Sequence, residues 1–97
     1  MYGSIARLEL KSEQDLRAAV QGLEKVLSHA RELAGFRDCY VLRTGSCQLT
    51  MVTIYDSEAG SRTATERFRP ILADTVGPHV ARPPERSAGD VAVGPPR

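Results

Sequence analysis

The sequence predicts an α+β fold of order β-α-β-β-α-β, in which two helices cover one face of a four-stranded antiparallel sheet. Three observations carry that prediction. A short alternating stretch is followed at once by a long stretch of helical period. Two runs rich in β-branched and aromatic residues then flank a short Gly-Ser connection. A second helical stripe finally leads into a Pro-rich C-terminal segment.

The first strand is residues 2 to 10, where Ala6, Leu8 and Leu10 alternate with Arg7 and Glu9, the period of a strand with one buried face. The spacing then lengthens. Leu16, Ala19, Val20, Leu23, Leu27, Ala30 and Leu33 recur at three and four residues, with Glu13, Arg17, Gln21, Glu24, Lys25 and Arg31 on the other side. Ser12 and Asp15 have the spacing of a capping box, with Asp in place of the usual Glu, and Gly35 stands where a left-handed C-cap is expected.

Residues 36 to 44 and 47 to 55 predict a hairpin turning at Gly45-Ser46. That turn sets Cys39 opposite Val52 and Cys47 opposite Thr44, a pairing across which a disulfide is disfavoured, so both thiols are read as reduced packing residues. In this register one face carries Phe36, Asp38, Tyr40, Leu42, Leu49, Met51, Thr53 and Tyr55. The other carries Arg37, Cys39, Val41, Arg43, Gln48, Thr50, Val52 and Ile54, and a one-residue error in the turn would exchange the two.

Asp56-Ser57 offers N-caps for a second helix striped by Ala59, Thr63, Phe68, Ile71, Leu72 and Val76. Pro70 predicts a break near Arg69 and a short further helix ending at Gly77-Pro78, because proline lacks the N–H that a helix interior uses. His79 to Ser87 reads as an extended connector, Asp90 to Val93 as a short last strand, and Gly94 to Arg97 as a tail. The whole is expected to be a single domain over residues 1 to 97 with its core in about 2 to 93.

Composition narrows the function classes. Hydrophobic residues are 41% and charged residues 26%, an ordinary globular profile, and a formal net charge of +1 gives no field to attract nucleic acid. No apolar run approaches the roughly 20 residues that cross a bilayer, so a soluble, cytoplasmic protein without a membrane partner is expected. Two cysteines and two histidines, widely spaced, make no zinc signature. Both sheet faces are partly apolar, which predicts a second layer from another copy of the chain: a homodimer with its sheets facing each other.

The runs Ile5-Ala6-Arg7-Leu8-Glu9-Leu10-Lys11, Ala34-Gly35-Phe36, Tyr40-Val41-Leu42-Arg43 and Val52-Thr53-Ile54-Tyr55-Asp56-Ser57-Glu58-Ala59 resemble the antibiotic biosynthesis monooxygenase family of dimeric α/β barrels. The likeness spans about residues 3 to 93. It implies a cofactor-independent monooxygenase of an aromatic polyketide, anthrone or quinol-type substrate. The alternative it leaves is a non-catalytic barrel that binds a small apolar ligand or serves as an accessory subunit. Haem-degrading members use an Asn in the first strand, a Trp in the second helix and a His near its end. The matching neighbourhoods here hold Ala6, Ala64 and Ala73, and the chain has no Trp, so haem degradation is not implied. The Trp and Asn of the anthrone-oxidising members have no counterpart either, since the sequence contains neither residue.

A cofactor-free oxygenase needs an apolar pocket, a group that favours the substrate's anion, and exclusion of water. The candidates are Tyr40, Tyr55 and His29 for catalysis, and Asp38, Met51, Phe68 and Arg67 for ligand binding. His79, after Gly77-Pro78, reads as a solvated loop residue. Arg7, Arg37 and Arg43 are expected on the sheet face or edges, paired with Glu9 or Asp38.

Overall fold

A computed structural model describes residues 1–94. Its elements are β1 (Tyr2–Glu9), α1 (Glu13–Ala30), β2 (Phe36–Gly45), β3 (Gln48–Tyr55), α2 (Glu58–Thr75), a 3-10 turn at Gly77–His79, and β4 (Glu85–Asp90). The strands form one antiparallel sheet in the order β2-β3-β1-β4, the ferredoxin-like arrangement.

Both helices start at the serines that the sequence marks. Ser12 Oγ accepts the Asp15 N–H at 3.1 Å and donates to Asp15 Oδ2 at 2.6 Å, while Ser57 Oγ accepts the Gly60 N–H at 3.2 Å. The far end of α1 differs from expectation. The helix stops at Ala30, and its last carbonyls are satisfied by tighter bonds from Glu32 N to His29 O and from Leu33 N to Ala30 O. Gly35 is therefore not the helix cap. At φ +87° it turns the chain into β2, and its carbonyl accepts the Asp56 N–H at 2.7 Å.

The break expected at Pro70 is absent, and α2 runs unbroken to Thr75. Pro70 lies on the exposed side, where solvent can serve the Glu66 carbonyl that it leaves without a donor. Phe68 and Val76, buried on the other side, hold the helix to the core across the proline. The helices approach closely at Gly22, where an added Cβ would lie 3.3 Å from Thr75 Cβ.

The β2–β3 register also departs from the expected one. The turn residues are Ser46 and Cys47, with Gly45 opposite Gln48, and the ladder shifts by one residue at Thr44 and again at Arg37. Cys39 therefore faces Thr53 rather than Val52, although Phe36 still faces Tyr55. The faces regroup accordingly. Leu49, Met51, Thr53 and Tyr55 share the helix side with Phe36, Cys39, Val41 and Arg43, whereas Asp38, Tyr40 and Leu42 join Thr50, Val52 and Ile54 on the open side.

The last strand begins earlier than expected, at Glu85, and ends at Asp90. Its sequence, ERSAGD, is exposed throughout, so no apolar alternation marks it; pairing with β1 from Tyr2 opposite Asp90 to Arg7 opposite Glu85 defines it. The tail expected from Gly94 lies, from residue 95 on, outside the described residues.

The core has two parts. Leu8, Leu10, Leu16, Ala19, Leu23, Leu49 and Val76 form one, Val26, Ala30, Ala64 and Phe68 the other, and Leu72 packs against both. Replacing Pro70 by Ala should raise stability by about 1–3 kcal/mol, since it restores a helical hydrogen bond at an exposed site. A shift of the urea midpoint to higher concentration checks this. A shift to lower concentration would mean that the proline geometry is needed for α2 to dock.

Candidate functional site

Between the two parts of the core lies a cavity of about 450 Å³, open to solvent on one side. The sheet supplies its floor through Ala6, Leu8, Cys39, Met51, Thr53 and Tyr55. α1 contributes Leu23, Val26, Leu27 and Ala30, and α2 contributes Ser61, Ala64, Thr65, Phe68 and Leu72. The β3 alternation sends Met51, Thr53 and Tyr55 to this side together, and the bulge at Arg37 lets Phe36 and Cys39 join them despite their odd separation. Phe36 and Tyr55 meet edge to face, ring centroids 6.1 Å apart.

The polar groups of the cavity floor are neutral donors and acceptors, while Arg69 and Arg86 also line the cavity. Cys39 Sγ lies 3.4 Å from Thr53 Oγ1, and Thr53 is only 4% exposed. Burial raises the pKa of the Cys39 thiol, partly offset by that hydrogen bond, and burial, reinforced by Cys39, raises that of the Tyr55 phenol. Both groups keep their protons at neutral pH and can donate to a ligand oxygen. Among the described residues no Asp, Glu or His lines the cavity.

Of the residues singled out in the sequence, Tyr55, Met51 and Phe68 are brought together here. Tyr40 and Asp38 are not. The shifted ladder puts them on the open face, where Tyr40 is 61% exposed. His29 stands exposed in the last turn of α1 and Arg67 exposed on α2, both outside the cavity lining. The polar residues missed include Cys39, Thr53, Ser61, Thr65, Arg69 and Arg86. The period of β3 already placed Thr53 beside Met51 and Tyr55, and the four-residue spacing of Ser61, Thr65 and Arg69 marks one face of α2.

The arginines expected to pair along the sheet find other carboxylates. Arg7 pairs with Glu85 at 3.8 Å, Arg37 with Asp56 at 2.7 Å and Arg43 with Glu13 at 3.5 Å, while Glu9 is taken by Arg82. The open face they border carries Ile5, Tyr40 and Leu42 at 46%, 61% and 50% exposure, alongside Val52 and Ile54. Among the described residues no cluster of three or more His, Cys, Asp or Glu could hold a metal ion, and no helix is long and apolar enough to cross a membrane.

His79 is not a free loop residue. Its Nδ1 lies 2.7 Å from Asp15 Oδ1, and its carbonyl accepts the Lys11 N–H, which fastens the 3-10 turn to the start of α1. The Ser12 hydrogen bond, then His79, holds the Asp15 carboxyl below its ordinary pKa of 3.8. A carboxyl lowered by folding stabilises the protein above its ordinary pKa and loses that contribution as pH falls through the lowered value. Asp15→Asn should thus be less stable than the unsubstituted chain at neutral pH, and the gap should close below about pH 4. Urea midpoints measured against pH check this; a gap independent of pH would contradict it.

No protein-family model and no curated protein matches the sequence. Solved structures do match the fold. A protein of unknown function from Nitrosomonas europaea superposes with a TM-score of 0.85 at 18% identity, covering 99% of this chain and 93% of that one. A second protein from that organism, named "Putative antibiotic biosynthesis monooxygenase", gives 0.83 at 14% identity over 94% and 89% of the two chains. SnoaB, a cofactor-independent oxygenase from Streptomyces nogalater, gives 0.80 at 12% identity over 99% and 97%. A dimeric ferredoxin-like protein from an uncultured marine organism gives 0.78 at 17% identity over 99% and 91%. The chain accordingly has the ferredoxin-like fold of the antibiotic biosynthesis monooxygenase-like structures, with its cavity between sheet and helices.

Proposed function

We propose that the chain is a homodimeric, cofactor-independent oxygenase of an electron-rich aromatic substrate of the anthrone or quinol type. The observation that carries this reading is the apolar cavity, roomy enough for a planar ring system, with the Tyr55, Cys39 and Thr53 donors set into its floor. The likeness to SnoaB supports the reaction class. The exposed apolar stripe of Ile5, Tyr40 and Leu42 supports a dimer closed sheet to sheet, and sedimentation at twice 10.6 kDa checks it.

For an anthrone the reaction balances as a methylene plus dioxygen giving a carbonyl plus water. The substrate loses a proton to become a carbanion, and the carbanion delivers electrons to oxygen. The peroxide formed at that carbon then expels water. Among the described residues no carboxylate or imidazole lines the cavity, and the first proton leaves to solvent at the opening. The Tyr55 hydroxyl, kept neutral by burial, donates to the oxyanion conjugated with the carbanion, and the apolar walls exclude water while oxygen is reduced.

A second reading, a binding protein without catalysis, is favoured by that same lack of a general base. Oxygen consumption with dithranol separates the two. The oxygenase reading expects uptake above the spontaneous rate. It also expects a fall in kcat/KM of roughly 10- to 100-fold in Tyr55→Phe, from the loss of a desolvated hydrogen bond. Tyr40→Phe, on the open face, should leave the rate unchanged. Dithranol bound with no uptake would establish the second reading.

A further inference from the structure

We propose that the cavity selects an aromatic ligand bearing a fixed anionic group of the carboxylate type, its rings among the apolar walls and its anion held at the opening by Arg69 and Arg86. The proposal rests on the cavity being the ligand site.

Among the described residues Arg69 and Arg86 are the only charged ones that line the cavity. The sequence is close to neutral overall, and most arginines near the sheet and the start of α2 have partners: Arg7, Arg37, Arg43, Arg62 and Arg82 each lie within ion-pair distance of a carboxylate. Among the described residues Arg69 and Arg86 form no such pair. Two unmatched guanidinium groups therefore border an apolar cavity that, among the described residues, no acidic side chain lines.

Their positions come from the fold. Arg86 sits opposite Ala6 in the β1–β4 ladder, so it shares the helix side of the sheet with a small floor residue that leaves it room. Arg69 lies four residues after Thr65 and four before Ala73 on α2, and all three line the cavity. One cation thus belongs to the helix layer and the other to the sheet layer, on two sides of one cavity. A neutral aromatic would fill the apolar part and leave both cations without a counter-charge. An aromatic acid satisfies both parts, because planar guanidinium groups match a carboxylate and beside low-dielectric walls the attraction is stronger than in open water.

The test uses two dyes of matching ring system, anilinonaphthalene sulfonate, which is anionic, and phenylnaphthylamine, which is neutral. Each is titrated by fluorescence into the full chain and into Arg69→Gln, Arg86→Gln and the double variant, whose folding is checked by circular dichroism. Arg17→Gln, an exposed α1 position, controls for net charge. The sulfonate should bind the unsubstituted chain about tenfold more tightly than the neutral dye, and each cavity substitution should weaken it roughly three- to tenfold. The neutral dye should change less than about twofold, and Arg17→Gln should alter neither. Neutral binding with no preference for the sulfonate, or a preference that survives the double variant, would overturn the anion assignment and leave the cavity reading intact. Failure of both dyes to bind would overturn both.

Discussion

The setting of the β2–β3 ladder governs which side chains reach the cavity and which face outward. Successive residues of a strand point to opposite sides, so a shift of one residue moves a whole set from one face to the other. Two shifts act within β2, one at Thr44 beside the turn and one at Arg37 near its start. Between them Cys39 and Val41 face the helices while Asp38, Tyr40 and Leu42 face away. At the start of the strand Phe36 returns to the helix side, where its ring meets Tyr55 edge to face. The bulge near Arg37 therefore lets one strand place an aromatic ring and a thiol in the same cavity wall. The side chain of Arg37 is meanwhile anchored outside by Asp56.

The cavity is what remains when two helices cover a sheet with small residues at the point of closest facing. Ala30 on α1 and Ser61, Ala64 and Thr65 on α2 lie where larger side chains would fill the space. Ala6, Ala64 and Ala73 all line it, and their small side chains enlarge it. Leaving such a volume unfilled sacrifices dispersion contacts that a packed core would make. The helices are held instead at the ends of the cavity, by the Leu16–Leu23–Val76 side of the core and by Val26, Ala30 and Phe68. The His79–Asp15 contact adds a tie at the N-terminus of α1, and Val76 and Val80 on either side of that turn reach the cavity wall.

Element order, both N-caps and the two-sided apolar character of the sheet were legible in the sequence, because periodicity and capping chemistry are local. The misreadings were decided by partners distant in the chain. Two bulges cannot be seen in the alternation of β2, which has apolar residues at both odd and even positions, so Tyr40 and Asp38 were assigned to the wrong side. Pro70 is tolerated because tertiary burial of Phe68 and Val76 overrides its local cost, and Glu85–Asp90 is a strand because β1 offers it a free edge. Within the site, Tyr55, Met51 and Phe68 were recognisable as large residues on apolar faces. Arg69 and Arg86 were not, since nothing local marks an arginine that, among the described residues, goes without an ion pair although Glu66 and Glu85 lie close to them in sequence.

In the proposed function the helix-side face of the sheet holds the ligand and the opposite face does not. Amide NMR of the isotopically labelled chain, titrated anaerobically with dithranol, tests it most directly. Ligand in the cavity should shift Cys39, Met51, Thr53, Tyr55, Ala64 and Phe68 most. Shifts concentrated instead at Tyr40, Leu42, Val52 and Ile54, with the cavity residues unmoved, would contradict it.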